Sequence, residues 1–435
     1  MKNLTKITAI VFLSIGTLGI IQSCKKDLSP PDLFTLQISE VTQTSAVSRS
    51  VVRDDGGAEV CIRGVCWSTS QNPTTSSGKT VDGGGSGPYL SVIAGLNPNT
   101  TYHVRAYAIN SEGTNYGNEL TFTTSAPISG IRKSDIPGGA RLGSTSFSIG
   151  NKVYLGLGFG DFIDSPGDFW EWDQVTDIWT KKADYPGNSG NGAVGFSIGT
   201  KGYFGTGLTI AGGATNEFWE YDPATNKWTE KASLPVSAAR TEAVGFSIGN
   251  KGYIGTGYVI GNDNMDNLND FWEYDPATDN WTGKASLPVT AARGEAVGFS
   301  IGTKGYIGTG NFTGGFGGMA LRDFWEWDQE TNIWTRKADF RGLRRSGAVG
   351  FTIGSKGYIG TGFTLDENGF SSFSSDFWEW DQETNIWSRK ADLEGNARVE
   401  AVGASIGDKG YIGTGIIDFE WGLMLNDFWE YDPDL

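Results

Sequence analysis

A five-residue motif constrains this chain more than any other feature. Phe-Trp-Glu-(Trp/Tyr)-Asp begins at Phe169, Phe218, Phe271, Phe324, Phe377 and Phe428, at spacings of 49, 53, 53, 53 and 51 residues. A period of about 50 residues marks an array of supersecondary units, each too small to bury its own apolar face and so obliged to stack on its neighbours. Each unit reads as four short strands. In the third they are 243–249 (Ala-Val-Gly-Phe-Ser-Ile-Gly), 251–257 (Lys-Gly-Tyr-Ile-Gly-Thr-Gly), 271–275 (Phe-Trp-Glu-Tyr-Asp) and, after a turn, 281–285 (Trp-Thr-Gly-Lys-Ala). Four strands per repeat make one blade of a β-propeller, so residues 126–435 are expected to form six blades. The sixth repeat stops before its fourth strand. The segment 131–138 (Ile-Arg-Lys-Ser-Asp-Ile-Pro-Gly) aligns with 180–187 (Thr-Lys-Lys-Ala-Asp-Tyr-Pro-Gly). An N-terminal strand is therefore expected to complete the last blade and remove its open edge.

Composition agrees with an all-β chain. Its 64 Gly, 16 Trp and 19% charged residues exclude the aromatic-poor, charge-rich make-up of a disordered chain. Fourteen of the 16 Trp fall in the repeated third and fourth strands, where large rings are expected to pack blade against blade; Trp67 and Trp421 lie elsewhere. With 34 Lys+Arg against 50 Asp+Glu the net charge is -16, which speaks against nucleic acid as partner. His103 is the only histidine. Mechanisms that need two imidazoles, including most zinc, copper and non-haem iron sites, are thereby excluded. Gly-x-Ser-x-Gly recurs only inside the repeated first strands, as in Gly245-Phe246-Ser247-Ile248-Gly249, and a Ser-His-Asp triad would need a histidine in the propeller. No phosphate-binding Gly-rich loop precedes a helix, and no cofactor is expected.

Lys2 and Lys6 accompany an apolar run over 7–21, too short to span a bilayer comfortably and suited to a signal peptide. The run ends Ile21-Gln22-Ser23-Cys24, which resembles the lipobox of bacterial lipoproteins. That resemblance implies a signal peptide over 1–23, lipidation of Cys24, a tether over 24–31 and an outer-membrane lipoprotein on the cell surface or periplasmic face. The membrane would be touched through the anchor only. Residues 32–125 alternate in short runs between turn clusters such as 54–57 and 82–85. Leu96-Asn97-Pro98-Asn99-Thr100-Thr101-Tyr102, just ahead of a strand, resembles the tyrosine corner of fibronectin type III domains and implies a β-sandwich. In that strand Tyr102, Val104, Ala106 and Ala108 share one face and His103 points the other way, to solvent. Cys61 and Cys66, five apart in one strand, lie about 16 Å from each other, beyond disulfide reach. Two free thiols are expected, at least one buried.

The 50-residue units resemble kelch repeats, with a Lys-Gly-Tyr strand and a Trp-x-Tyr-Asp-Pro-x-Thr-x-x-Trp segment. They depart from that pattern after the second strand, where kelch repeats carry Gly-Gly and this chain carries Thr-Gly, as at Thr256-Gly257. The expected fold is all-β: a fibronectin type III-like sandwich over 32–125, then a six-bladed kelch-like propeller over 126–435 closed by an N-terminal strand.

Candidate site residues follow from the repeat. Arg141, Arg240, Arg293, Arg345 and Arg398 stand six residues before the repeated Phe-Ser-Ile-Gly position, and Gly190 replaces the arginine in the second unit. Glu242, Glu295 and Glu400 follow two residues later. Residues i and i+2 of a strand face the same way, so Arg–Glu pairs are expected at the channel mouth, with surplus guanidinium groups for a carboxylate ligand. The variable loops 158–167, 208–216, 258–269, 311–322, 363–375 and 416–426 carry acids and aromatics; Trp421, which breaks the Trp pattern, and Phe419 are candidate ligand contacts. Asp263 and Asp266 are candidate calcium ligands in a segment that does not match an EF-hand; otherwise no metal is expected. Lys152, Lys201, Lys251, Lys304, Lys356 and Lys409 recur at the opposite end as solvated turn residues. The expected function is non-catalytic recognition, by a monomer, of a protein or an acidic carbohydrate on the loop face. Kelch-type copper oxidases need histidines that this propeller lacks. Resemblance to sialate epimerases leaves an alternative, a sugar isomerase using Glu242, Glu295 or Glu400 as acid or base. A third reading is a purely architectural surface protein.

Overall fold

The computed structural model describes residues 28–125, 127–160, 167–209, 211–260, 265–312 and 319–434. The signal segment, Cys24 and Asp263 lie outside these residues. The chain divides into two units between Ser125 and Ala126.

The first unit is a pair of antiparallel sheets. One holds Asp32–Ser39, Ser45–Asp54 and Gly87–Ala94; the other holds Gly78–Lys79, Ile62–Ser68, Thr101–Asn110 and Gly113–Thr123, each in that order. Period-two alternation buries Tyr102, Val104, Ala106 and Ala108. Tyr102 and Val104 pack with Ala46, Val65 and Ile93. The Asn97 N–H donates to Tyr102 Oη at 3.0 Å, which pins the preceding turn to the strand. Cys61 is exposed and Cys66 buried, and both are free thiols, as their spacing requires. Burial pushes the Cys66 thiol up to about 11. His103 is half-buried rather than solvent-facing, because its Nδ1 meets Glu119 Oε1 at 2.9 Å.

Among the described residues the second unit contains six four-stranded antiparallel sheets, sheets 1 to 6 below. Sheet 1 runs Thr145–Ile149, Lys152–Gly156, Phe169–Asp173 and Ile178–Lys181, and sheets 2 to 5 repeat that order. Sheet 6 takes Val402–Ile406, Lys409–Gly413 and Phe428–Tyr431 from the C-terminal end and Ile131–Lys133 from the N-terminal side, with Phe428 opposite Lys133. The first strands of successive sheets adjoin one another, and that of sheet 6 adjoins that of sheet 1. The arrangement is all-β and propeller-like.

Sequence explains the close approach of the sheets. In sheets 2 to 6 the second residue of the first strand is glycine, with Ser146 in its place in sheet 1; a Cβ on Gly245 would stand 2.9 Å from Val194 Cβ of the preceding sheet. Farther out, aromatic rings fill the wedge. The Phe that opens each motif meets the fourth motif residue of the next sheet, as in Phe169–Tyr221 at 4.8 Å, Phe271–Trp327 at 5.0 Å and, across the seam, Phe428–Trp172 at 5.0 Å. Burying one such side chain stabilises by roughly 1.5–3 kcal/mol, so the repeated rings are a main source of sheet-to-sheet cohesion. The fourth-strand tryptophans also reach back: Nε1 of Trp228, Trp281, Trp334 and Trp387 donates to Ala183, Ala232, Ala285 and Ala338 of the preceding sheet. Sheet 6 has no such tryptophan, and the equivalent carbonyl, of Ala391, is bonded by Tyr431 Oη at 2.7 Å.

The variable loops between second and third strands carry small sheets of their own. Tyr258–Ile260 pairs with Met265–Asn267, Asn311–Phe312 with Met319–Ala320, Ile416–Asp418 with Leu423–Met424, and Arg344–Ser346 joins Phe363–Leu365 and Ser371–Phe373. These sheets tie the loops to the linkers that enter each first strand, through bridges such as Thr241↔Tyr258 and Gly294↔Asn311. Loops and linkers therefore share one end of the unit.

Candidate functional site at the axis

The five arginines enter this end through the linkers, yet each is 0% exposed. An aspartate of the same sheet, not the glutamate two residues on, holds each guanidinium: Arg141 by Asp168 at 2.5 Å, Arg240 by Asp270 at 2.7 Å, Arg293 by Asp323 at 2.6 Å, Arg345 by Asp376 at 2.5 Å and Arg398 by Asp427 at 2.5 Å. Nη1 also donates to the carbonyl of Leu157, Thr256, Thr309, Thr361 or Thr414. Those carbonyl residues have φ between 57 and 61°, the left-handed region that favours glycine. The repeated Thr-Gly pair thus sits where the backbone turns its carbonyl to the arginine. The arginine's own carbonyl accepts from the preceding sheet, as Arg240 does from Gly207 at 2.7 Å and Arg141 from Gly415 at 2.8 Å. Burial alone would raise the aspartates, but the guanidinium wins: Asp270 and Asp323 are held below the usual range and Asp376 at about 2. This corrects the expected Arg–Glu pairs. A desolvated guanidinium already matched by a carboxylate has no face left for a ligand.

The glutamates occupy another place. Gly143, Gly192, Glu242, Glu295, Gly347 and Glu400 are equivalent in the six sheets, and all have φ between 51 and 61°. Each N–H donates to the carbonyl of the equivalent residue in the preceding sheet, and Gly143 donates to Glu400. Six backbone bonds of 2.9–3.1 Å so form a closed ring around the axis. The left-handed backbone interrupts strand alternation, which is why a two-residue spacing does not bring glutamate to arginine.

A cavity of about 90 Å³ lies on this ring, lined by its six residues and by the small residues that follow them. Burial, helped by the charge of Glu295, raises Glu242 to about 8. Burial and then the charges of Glu242 and Glu295 push Glu400 well above the usual carboxylate range. Burial also raises Glu295, against the polar groups of Ser346, Asn311 and Tyr258. Glu295 is 7% exposed, and its Oε2 has no hydrogen-bond partner among the described residues. Glu242 and Glu400 are half-buried: protein surrounds them, yet the cavity reaches them. Tyr258 Oη reaches across Gly294 to Asn311 Oδ1 and, at 3.4 Å, to Glu295 Oε1. Carboxyls that hold protons near neutral pH can donate as well as accept hydrogen bonds, and can pass a proton either way. Among the described residues no three His, Cys, Asp or Glu stand close enough to hold a metal ion.

On the rim, Trp421 is 74% exposed, whereas Phe419 packs into a cluster with Phe373 at 4.9 Å and Phe363 at 5.7 Å. Asp266 stands exposed on the short strand Met265–Asn267. The recurring lysines are not merely solvated. They pair across the sheet, as in Lys201–Asp222 at 2.7 Å and Lys251–Asp275 at 2.5 Å.

The aspartate partners of the arginines went unread in the sequence, although a signal existed. Asp precedes the repeated Phe in five units, and Glu217 precedes it in sheet 2, the same sheet whose arginine is Gly190. Both halves of the pair change together, and Glu217 turns instead to the Asn188 N–H at 2.9 Å.

No family model matches the chain. No curated protein matches it either. Solved structures do share its fold. One, described as "Structure of YjhT", superposes with a TM-score of 0.58 over 68% of this chain and 95% of that one, at 18% identity. At that identity the likeness concerns the fold alone, an all-β, propeller-like array of repeats.

Proposed function

We propose that this chain is an exported, lipid-anchored bacterial binding protein whose second unit, a closed six-bladed kelch-like propeller, receives a ligand on its loop face. Its first unit is a fibronectin type III-like sandwich that acts as a spacer. The Lys2-to-Cys24 segment supports the anchor, the Asn97–Tyr102 bond supports the sandwich type, and the axial ring supports closure.

One observation carries the ligand reading. Three carboxyls converge on the axial well, and none of them forms an ion pair among the described residues. With the arginines committed to aspartates, the well suits a neutral hydroxyl-rich group or a protonated amine and repels a carboxylate. The protein or carbohydrate ligand therefore presents a sugar hydroxyl cluster, an amino sugar or a lysine side chain to the axis. The test is calorimetric titration of the chain with glucosamine, glucose and glucuronate oligosaccharides. Binding of the first two that is lost in Glu242→Gln/Glu400→Gln protein supports the reading; no saturable binding of either leaves the architectural reading in its place.

The raised carboxyl of Glu242 favours a second reading, a sugar isomerase in which these glutamates move protons on a bound sugar. An enzyme would accelerate anomer exchange measured by NMR, and Glu242→Gln would lower turnover more than binding.

A further inference from the structure

Lysines and arginines of the second unit are almost all neutralised by a carboxylate. Among the described residues only Lys227, Arg322, Arg341 and Arg344 make no ion pair there, and three of these four line one cavity of about 370 Å³ beside sheets 4 and 5. In a chain of net charge -16 such a gathering of unmatched guanidinium groups is exceptional.

The repeat shows that it is built by local departures. Where sheet 4 has Arg322, the equivalents Asn216, Asn269 and Asn426 use their side-chain amides to bond the carbonyls of Leu234, Leu287 and Ile136. Where the linker to sheet 5 reads Arg341-Gly342-Leu343-Arg344, the linkers to sheets 3 and 4 read Pro-Val-Ser-Ala-Ala and Pro-Val-Thr-Ala-Ala, with Val236 and Val289 exposed. Backbone pairing holds the main chain at Arg322 and Arg344, from which these side chains extend. The Phe340 N–H donates to the Arg322 carbonyl at 2.7 Å, and Arg344 lies opposite Leu365 in a small sheet.

The rest of the lining selects among anions. Trp378 is half-buried with its Nε1 held by Asp376 at 2.9 Å, so its ring is fixed in the wall. Asp366 and Glu367 close the other side. We propose that this cavity is a second ligand site, for a hexuronic acid residue of a carbohydrate. Guanidinium forks take the carboxylate, an indole face takes the apolar side of a sugar ring, and the two carboxylates accept hydroxyls. An acidic peptide brings a carboxylate side chain on each residue and no hydroxyl cluster for Asp366 and Glu367. This site does not depend on the reading of the axial well.

The test titrates the full chain at low salt with tetragalacturonate, maltotetraose as its neutral counterpart, and tetraglutamate. The variant Arg322→Asn/Arg341→Ala/Arg344→Ala removes only exposed side chains, two of them replaced by what other sheets carry, and its melting temperature is expected to be unchanged. Tetragalacturonate binds the parent and, with several charge-assisted bonds gone, binds the variant at least about tenfold more weakly. Glu242→Gln/Glu400→Gln protein binds it like the parent, which separates this site from the well. In the Glu242→Gln/Glu400→Gln protein, where the axial well is disabled, equal affinity for maltotetraose, or equal or better affinity for tetraglutamate, would overturn the assignment, as would retention by the triple variant or no binding of tetragalacturonate at all.

Discussion

Arg240 and Glu242 stand two residues apart in one linker and share one end of the propeller-like unit, yet their surroundings could hardly differ more. The arginine meets Asp270, a carbonyl of its own sheet and an N–H of the preceding sheet. The glutamate meets other carboxyls across a cavity. A buried charge supplied with its partner is part of the frame, because removing either half strands the other in a low dielectric. A carboxyl left without a countercharge lowers stability, and such groups concentrate at functional sites. The arginines therefore belong to the frame, and the glutamates are the groups left open to the cavity.

The largest expected effect breaks the frame side. Arg141 and Asp168 are both fully buried, so Asp168→Ala leaves a stranded guanidinium and is expected to cost about 3–5 kcal/mol in denaturant unfolding. A cost below about 1 kcal/mol would end the idea of structural pairs. The next effect belongs to the well. Below the usual carboxylate range, folded and unfolded chains both keep the Glu242 proton. Between 4.5 and about 8 the unfolded chain releases it and the folded chain does not, so stability falls as pH rises. The slope for one such group is at most about 1.4 kcal/mol per pH unit. Glu242→Gln should flatten the curve over that window, read by melting temperature against pH. A third variant sharpens the contrast within the repeat: Glu217→Ala removes a carboxylate bonded, among the described residues, only to exposed Asn188 and is expected to cost under about 1 kcal/mol. The smallest effect is at the opposite end, where Lys201→Ala breaks a half-exposed pair worth about 0.2–1 kcal/mol.

The sheets were legible because a strand's period and a 50-residue repeat are both written in the order of residues. Even Ile131–Lys133, far from its partner strand in sequence, was found by alignment with 180–187. The site was half legible. Glu242, Glu295 and Glu400 stood out, but their geometry depended on left-handed backbone angles at non-glycine residues, which no alternation rule anticipates. Their supposed partners failed for the same reason. The true partners lie 27 to 31 residues away in sequence, where only parallel change across repeats, such as Gly190 with Glu217, announces them. Arg341 and Arg344 were hidden by the opposite habit: attention to what recurs passes over the one unit that differs.

The axial ring has one more consequence. Its backbone repeats six times, but its side chains do not: around the ring the glutamates are separated by steps of one, two and three positions. No rotation about the axis carries that pattern onto itself, and no mirror plane containing the axis does so either. A uniform ring would accept a ligand in six indistinguishable settings. This one distinguishes them all, so the six settings of a small group placed on the axis would differ in the hydrogen-bonding carboxyls they meet.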